Sequence, residues 1–242
     1  MWGIIPAAGM GTRIQPLAFS KELLPVGSYI SDGSERPRAV SEYLIERMVR
    51  AGVDKICFVI SPGKSDIVNY FGGHVLSATA FYAVQPQPAG LCDAIFRALP
   101  LIPPSEEVCI GLPDTIWFPE DALARMPGGM LSLLLFPVRH PEHFDAVITG
   151  EEDEVLEVQV KSTSAKTNWV WGALKMPGWV LAELHSIWHE RQDEYLGTLI
   201  NEYLARGGRV SGLKIGESYV DVGTLNGYRE ALRLLDAART SR

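Results

Sequence analysis

Apolar runs alternate with amphipathic stretches along the first 137 residues of the chain. Short apolar runs predict strands at residues 2–7, 55–60, 78–84, 107–112 and 130–137. Between them, helical spacing of apolar positions predicts helices at residues 40–51, 91–99 and 119–126, and a turn at 61–66 is expected to lead into a short helix that ends at residue 71. Strand and helix in regular alternation are typical of a parallel α/β sheet with helices on both faces.

The second half has a different pattern. Residues 144–149 and 155–161 flank an acidic turn and predict a β-hairpin. Further strands are predicted at 168–176, 210–215 and 218–220, and helices at 178–191, at 195–206 and from about 224 to 238. The polar segment 28–38 is predicted to be a loop. With no internal repeat and no long linker, we expect one domain over 1–242, with halves at about 1–137 and 138–242.

The loop after the first predicted strand is built from small residues. Ala8, Gly9, Gly11 and Thr12 leave the backbone N–H groups accessible, and a polyphosphate binds such groups readily. Arg13 and Lys21 then add positive charge. The alternative is an ordinary glycine turn with solvated cations, which the glycines alone would favour.

Two further features follow strands of the same predicted sheet. The loop 85–90 comes after the third strand, and Asp114 comes after the fourth. In open α/β sheets, ligands bind beyond the carboxyl ends of the strands. The small-residue loop, the loop 85–90 and Asp114 are therefore expected at one ligand-binding edge.

The composition narrows the class of partner. The net charge of −7 argues against a general nucleic-acid surface, although a local group of cations can still bind phosphate. No apolar stretch approaches the roughly 20 residues that span a bilayer, and the first residues lack the features of a signal peptide. Cys57, Cys92 and Cys109 are far apart and predict buried thiols in a reducing compartment. A cytoplasmic protein without nucleic-acid or membrane partners is expected; homo-oligomerisation stays open.

Several segments, taken in order, resemble the sugar-1-phosphate nucleotidyltransferases of the glucose-1-phosphate thymidylyltransferase type. They are Gly9–Val26, with Gly-Met-Gly-Thr-Arg and Lys-Glu-Leu-Leu-Pro-Val; Gln85–Leu91; Gly111–Asp114; Val158–Lys161 with Trp169–Gly172; and Val220–Thr224. Each segment alone is a weak signal, but together and in order they make a chance match improbable. The resemblance implies a Rossmann-like, mostly parallel sheet flanked by helices, with a small β-rich part that binds the acceptor.

The resemblance also implies a reaction and roles for its residues. A nucleoside monophosphate, from dTTP or UTP, is transferred to a sugar 1-phosphate and pyrophosphate is released. The implied nucleotide-binding residues are Ala8, Gly9, Gly11, Thr12, Gln85 and Gly90, and the implied catalytic residues are Arg13, Lys21 and Lys161. Lys161, Trp171 and Gly172 would contact the sugar phosphate, while Asp114 and Asp221 would hold Mg²⁺.

Several of these residues also have a purely structural explanation. An aspartate at a strand end, such as Asp114, often only forms a turn. Lys161 could be a solvated surface charge, and Gln85 could hydrogen-bond to the backbone. Gly172 is as easily explained by packing, and one of the tryptophans at 169 and 171 is expected to face the core. His185 and His189, four residues apart on a predicted helix, lack an evident third metal ligand.

The chain departs from the family pattern mainly on the acceptor side. Val160 stands where the family has an acid that contacts sugar hydroxyls, Ser162 replaces a proline, and Trp171 replaces a small polar residue. Arg13 and Lys21 also lie closer together than in the family. These changes favour an acceptor other than glucose 1-phosphate.

Two alternatives to a sugar nucleotidyltransferase remain open. One is transfer to a non-sugar acceptor such as a choline-type or phosphonate phosphate, with CTP as a donor. The other is a non-catalytic module that binds a nucleotide or nucleotide sugar for regulation; the retention of both carboxylates and Arg13 disfavours it.

Overall fold

The computed structural model describes residues 1–192 and 195–240, without the side chains of 238–240. The strands are β1 (Trp2–Pro6), β2 (Pro25–Ser31), β3 (Ser34–Ala39), β4 (Lys55–Ile60), β5 (His74–Val75), β6 (Ala78–Val84), β7 (Glu107–Gly111), β8 (Thr115–Phe118), β9 (Leu131–Pro137), β10 (Asp145–Thr149), β11 (Val155–Val160), β12 (Trp169–Pro177), β13 (Val210–Leu213) and β14 (Ser218–Asp221). The helices are α1 (Val40–Arg50), α2 (Ser65–Phe71), α3 (Gly90–Phe96), α4 (Gly178–Arg191), α5 (Leu196–Ala205) and α6 (Leu225–Thr240).

The first half forms the predicted parallel sheet. β1 lies between β4 and β7 and pairs with both in parallel, and β4 continues in parallel to β6. Ile4 and Ile5 of β1 are fully buried although they point to opposite faces, because helices cover both sides of the sheet. The α/β expectation from the alternation of strands and helices is confirmed.

The second half extends the same sheet with antiparallel strands. β12 pairs through Ala173–Pro177 with β7 and through Trp169–Lys175 with β9, and it contacts β10 at Val170. β10 and β11 form the predicted hairpin at the edge. The sheet is therefore mixed, and its antiparallel part carries the residues expected to bind the acceptor.

Two local predictions are wrong. Residues 28–38 are not a loop: β2 and β3 form a hairpin with Tyr29 opposite Arg36. Most of its side chains are exposed, so neither face shows the apolar alternation that identifies a strand. Residues 119–126 form no α-helix and contain only a 3₁₀ turn at Ala122–Arg125. The short strand β8 before them is not evident from the local sequence, because it forms only by pairing with the distant β14.

Helices pack on both faces of the sheet. One face is covered by α3, α4 and α5, and the other by α1 and α2. A smaller apolar cluster holds α6 against β2, β8 and β14. The three cysteines are buried free thiols, as predicted. Within the described parts of the chain, no helix combines the length and apolarity needed to cross a bilayer.

Candidate active site

Asp114 and Asp221 are brought together by the short ribbon of β8 and β14. In its antiparallel register Asp221 lies opposite Thr115, and the Val222 amide donates to the Asp114 carbonyl oxygen at 2.8 Å. The backbone pairing thus fixes both aspartates side by side, as the resemblance requires.

Each of these carboxylates is paired with a cation from the N-terminal segment. Lys21 Nζ lies 2.5 Å from Asp114 Oδ2, and Arg13 donates to Asp221 Oδ2 at 3.1 Å. Burial lowers the pKa of Lys21, but the charge and hydrogen bond of Asp114 outweigh it, so the pKa is raised overall. The Lys21 side chain therefore stays protonated beside the carboxylates. The Arg13 side chain, by contrast, is 63% exposed to solvent.

The small-residue loop lies against Lys21. Gly11 has φ of +63°, and a Cβ placed there would come within 2.8 Å of Lys21 Cδ. Glycine is thus required both by the backbone and by the lysine stem. Ala8 is buried at the strand end, whereas Gly9 and Thr12 are exposed. The exposed part of the loop is free for the close approach of a ligand.

A buried ion pair that the sequence did not reveal supports this loop. Lys64 Nζ lies 2.8 and 2.7 Å from the two carboxylate oxygens of Glu22 and 2.6 Å from the carbonyl oxygen of Ala7. Lys64 immediately precedes α2. Its contacts tie the end of β1 to the segment that carries Lys21.

A pocket of about 550 Å³ connects the aspartates with the acceptor side. Its lining includes Arg13, Gly90, Asp114, Lys161, Trp171 and Asp221, all predicted from sequence, and His143, Phe144, Asp145, Tyr195 and Tyr219, which were not. The phosphate-binding and acceptor-binding residues predicted separately thus share one space. Lys21 lies at its margin through its bond to Asp114.

Lys161 is held at this pocket by the hairpin. It has φ of +42°, and its amide donates to the Phe144 carbonyl oxygen at 3.1 Å. Its Nζ lies 4.9 Å from the centroid of the Tyr195 ring, within the range of a cation–π contact. The Lys161 backbone is therefore held just before β10, and its ammonium lies against the ring that precedes α5.

Trp171 and Gly172 have different environments. Trp171 is 8% exposed, lines the pocket and directs its Nε1 towards Asp145 Oδ2 at 3.4 Å. A Cβ at Gly172 would lie 2.6 Å from the Tyr219 ring and 2.7 Å from the Phe136 ring. Gly172 is not among the pocket-lining residues, so the structure gives it the packing role that was its alternative.

Gln85 is engaged inside the protein. It is buried, and its Nε2 donates to the Gly90 carbonyl oxygen at 3.1 Å and to Asp93 Oδ2 at 2.8 Å. Both amide hydrogens are thus used to fix the loop 85–90, and only Oε1 is left to accept from a base. Reading of a base by a paired donor and acceptor of Gln85 does not fit this arrangement.

The histidine pair belongs to another part of the molecule. The His185 ring packs against Phe96, and its centroid lies 4.5 Å from that of His189. Across residues 1–192 and 195–240, no group of three or more His, Cys, Asp or Glu side chains could hold a metal ion. The pair is part of an aromatic contact and not of a metal site.

The donor set at the aspartates fits a hard cation. A Cβ at Gly223 would lie 2.8 Å from Asp221 Oδ1 and 3.2 Å from Asp114 Oδ2, so these two oxygens, which accept from the Gly223 amide and Lys21 respectively, lie near the same glycine. Mg²⁺ is usually bound through one or two carboxylates together with substrate phosphates and water. Two aspartates that line a pocket large enough for phosphorylated substrates meet that requirement.

Comparison with known proteins identifies the family of the chain. The profile of the nucleotidyl transferase family matches residues 2–237. The chain is 28% identical to a glucose-1-phosphate thymidylyltransferase of Neisseria meningitidis over 180 residues, which are 70% of this chain and 58% of that protein. It is 28% identical to an enzyme of the same name from Mycobacterium tuberculosis over 252 aligned positions, with 98% of this chain and 81% of the relative covered.

The fold is also found among solved structures. A UTP-bound UGPase from Acinetobacter baumannii superposes with a TM-score of 0.80 at 20% identity, covering 97% of this chain and 92% of that one. At this identity the likeness establishes the fold alone. It is the fold that the resemblance of the separate sequence segments implied.

Proposed function

Since the chain belongs to the nucleotidyl transferase family, we propose that it transfers a nucleoside monophosphate from a nucleoside triphosphate to a sugar 1-phosphate. The products are a nucleotide sugar and pyrophosphate. The observation that carries the proposal is that Arg13, the aspartates 114 and 221, and Lys161 all line one pocket. It offers cations for two phosphorylated substrates and carboxylates for a divalent ion.

The reaction needs charge compensation more than acid–base chemistry. An oxygen of the acceptor phosphate attacks the α-phosphorus, and the bond from that phosphorus to the oxygen bridging to the β-phosphate breaks. Pyrophosphate leaves with this electron pair. The attacking oxygen is already anionic, so no protein base is required, and catalysis consists mainly of positioning and electrostatic stabilisation.

The residues divide between the two substrates. Arg13 is exposed and its planar guanidinium suits the leaving phosphates, with Lys21 as a point charge beside them. Lys161 binds the acceptor phosphate at the other part of the pocket. Asp114 and Asp221 would hold Mg²⁺, which offsets phosphate charge when bound.

A pyrimidine nucleotide is the proposed donor. Gly90 lines the pocket, where a base could approach its backbone closely. Relatives of this chain are named thymidylyltransferases, and the UTP-bound UGPase has the same fold. These names support dTTP or UTP. We also propose that the protein is cytoplasmic.

Pyrophosphate release tests the proposal. The purified protein is incubated with Mg²⁺, each of dTTP, UTP and CTP, and a panel of sugar 1-phosphates, choline phosphate and an aminoalkylphosphonate. Turnover with a sugar 1-phosphate is expected. Turnover only with the non-sugar acceptors would overturn the sugar proposal, and binding of nucleotide without turnover of any pair would favour the regulatory module.

Asp221→Asn tests the role of the carboxylates. The change keeps the size of the side chain, and we expect Mg²⁺-dependent turnover to fall by at least about 100-fold, in the range for removal of one transition-state contact. Asp121→Asn, at an exposed aspartate outside the pocket, is the matched control and should retain full activity. Equal activity of the two variants would refute a metal role for Asp221.

A further inference from the structure

Asp145 is a pocket carboxylate that the proposed assignment of roles leaves unused. It lies at the start of β10, lines the pocket with Lys161 and Trp171, and is only partly exposed. Its Oδ2 accepts from Trp171 Nε1 at 3.4 Å, and its Oδ1 is buried and has no hydrogen-bond partner among residues 1–192 and 195–240. A buried carboxylate oxygen without a partner is costly, because its lost hydration is not replaced.

The position of Asp145 relates directly to that of Val160. The two residues are opposite each other in the antiparallel ladder of β10 and β11, so their side chains project from the same face. A Cβ at Gly197 would lie 3.3 Å from Asp145 Oδ2 and 2.8 Å from Val160 Cγ2. The two side chains therefore meet the same point of α5, and a carboxylate at either position would serve the same region.

The surroundings of Asp145 leave its carboxyl group poorly solvated. Burial raises the pKa of Asp145 overall, although the Trp171 indole, the charge of Lys161 and the Lys161 backbone amide act in the opposite direction. Asp145 is thus a poorly solvated acid beside the cation assigned to the acceptor phosphate. A group attached to that phosphate would share the pocket with Asp145.

We propose that Asp145 determines acceptor specificity by accepting a hydrogen bond from a hydroxyl group of the sugar phosphate whose phosphate is bound by Lys161. This inference rests on the proposed function and names the residue that recognises the sugar of the acceptor. Asp145 on β10 thus supplies the carboxylate that is missing at Val160 on the neighbouring strand β11.

The aromatic residues of the pocket favour a hydroxyl over a quaternary amine. The Tyr195 ring is already contacted by Lys161 Nζ, and the rings of Phe144 and Tyr219 meet edge to face at 5.8 Å. Trp171 is largely buried and points its N–H towards Asp145. A cage for a quaternary ammonium needs open ring faces, and these rings are engaged with other groups.

The test measures the Michaelis constants of the two substrates separately. Asp145→Asn keeps the shape and removes the charge, and we expect KM for the best sugar 1-phosphate to rise about tenfold or more, as for loss of a charge-assisted hydrogen bond. KM for the nucleotide should stay within about twofold, since Asp145 contacts only the acceptor side. Glu151→Gln, an exposed acid at the turn of the same hairpin, is the control and should change neither constant.

Relocation of the acid separates recognition from mere structural support. In the double variant Asp145→Ala with Val160→Glu, a carboxylate returns to the same face from β11, and acceptor KM should recover at least partly relative to Asp145→Ala. Monodeoxy analogues of the sugar phosphate then identify the hydroxyl. The analogue that lacks it should be bound equally well by the wild type and Asp145→Asn.

The outcomes are distinguishable from failure of the proposed function. If the wild type turns over no sugar 1-phosphate, the proposed function fails and this inference falls with it. If the wild type is active and a folded Asp145→Asn variant, checked by circular dichroism, keeps its acceptor KM, only the inference is overturned. If the wild type prefers choline phosphate and Asp145→Asn loses this preference, the inference is also overturned, because Asp145 would then bind a quaternary amine and not a hydroxyl group.

Discussion

Lys64 and Glu22 form a buried ion pair beneath the N-terminal loop, with Nζ 2.7 and 2.8 Å from the carboxylate oxygens. Glu22 is 1% exposed and Lys64 is 8% exposed. Burial raises the pKa of Glu22 and lowers that of Lys64 in spite of their attraction. The pair is therefore sensitive to the loss of either member, because the remaining charge would be buried alone.

We predict that Glu22→Gln lowers the free energy of unfolding by about 3–5 kcal/mol, as for other broken buried pairs. Urea unfolding monitored by circular dichroism measures the change. The double variant Glu22→Leu with Lys64→Met should lose much less than the sum of the two single changes, because no charge is left unpaired. Additive losses would show that the two residues do not act as a pair.

Asp66 should make stability depend on pH. Its carboxylate accepts from the Ser20 amide at 2.6 Å and the Ser20 hydroxyl at 2.7 Å. Burial raises the pKa of Asp66, but these bonds outweigh it, so the pKa is lowered from 3.8. A carboxyl whose folded pKa is depressed stabilises the protein above its unfolded pKa, and that contribution is lost as the pH falls through the folded pKa.

Asp66→Asn should accordingly lower the urea midpoint at neutral pH, and the difference from wild type should shrink once the pH falls below 3.8. Urea titrations at a series of pH values measure this convergence. The exposed Asp121→Asn control should follow the wild type throughout. A difference that is constant with pH would contradict the assigned role of the charge.

Gly172 should tolerate no side chain. A Cβ would meet the rings of Tyr219 and Phe136 at 2.6 and 2.7 Å, so Gly172→Ala overpacks the core beside β14. We expect a loss of about 1–3 kcal/mol, seen as a lower midpoint of thermal unfolding. Gly73→Ala, where a Cβ meets nothing within 4 Å, is the control and should leave the midpoint unchanged.

Arg13 should affect nucleotide binding without affecting stability. Its side chain is 63% exposed, and its bond to Asp221 is a surface pair of little energetic weight. Arg13→Lys keeps the charge and loses the planar fork, so KM for the nucleoside triphosphate should rise about tenfold or more, with unchanged unfolding. Arg36→Ala, at an exposed arginine of the β2–β3 hairpin, should leave KM as it is. Equal values for wild type and Arg13→Lys would remove Arg13 from phosphate binding.

The sequence by itself determined the fold class, and it also predicted which residues bind the nucleotide. Alternation of apolar runs with helical spacing is a local property, and it predicted β1, β4, β6, β7 and the helices between them. The glycine loop, Arg13 and the aspartates at 114 and 221 were identified by type and order. Of these, Arg13 and the two aspartates line one pocket with Lys161, whereas the glycine loop packs against Lys21 instead.

Only the tertiary structure decided which side chains meet. Asp145 and Val160 are partners because of the register of a hairpin, and Lys64 reaches Glu22 because α2 begins beside the loop. Pairing between distant segments depends on the register and packing of the whole chain, which a local pattern does not contain. For the same reason Gln85 looked free to read a base, yet its amide hydrogens are used within the loop 85–90 and by Asp93.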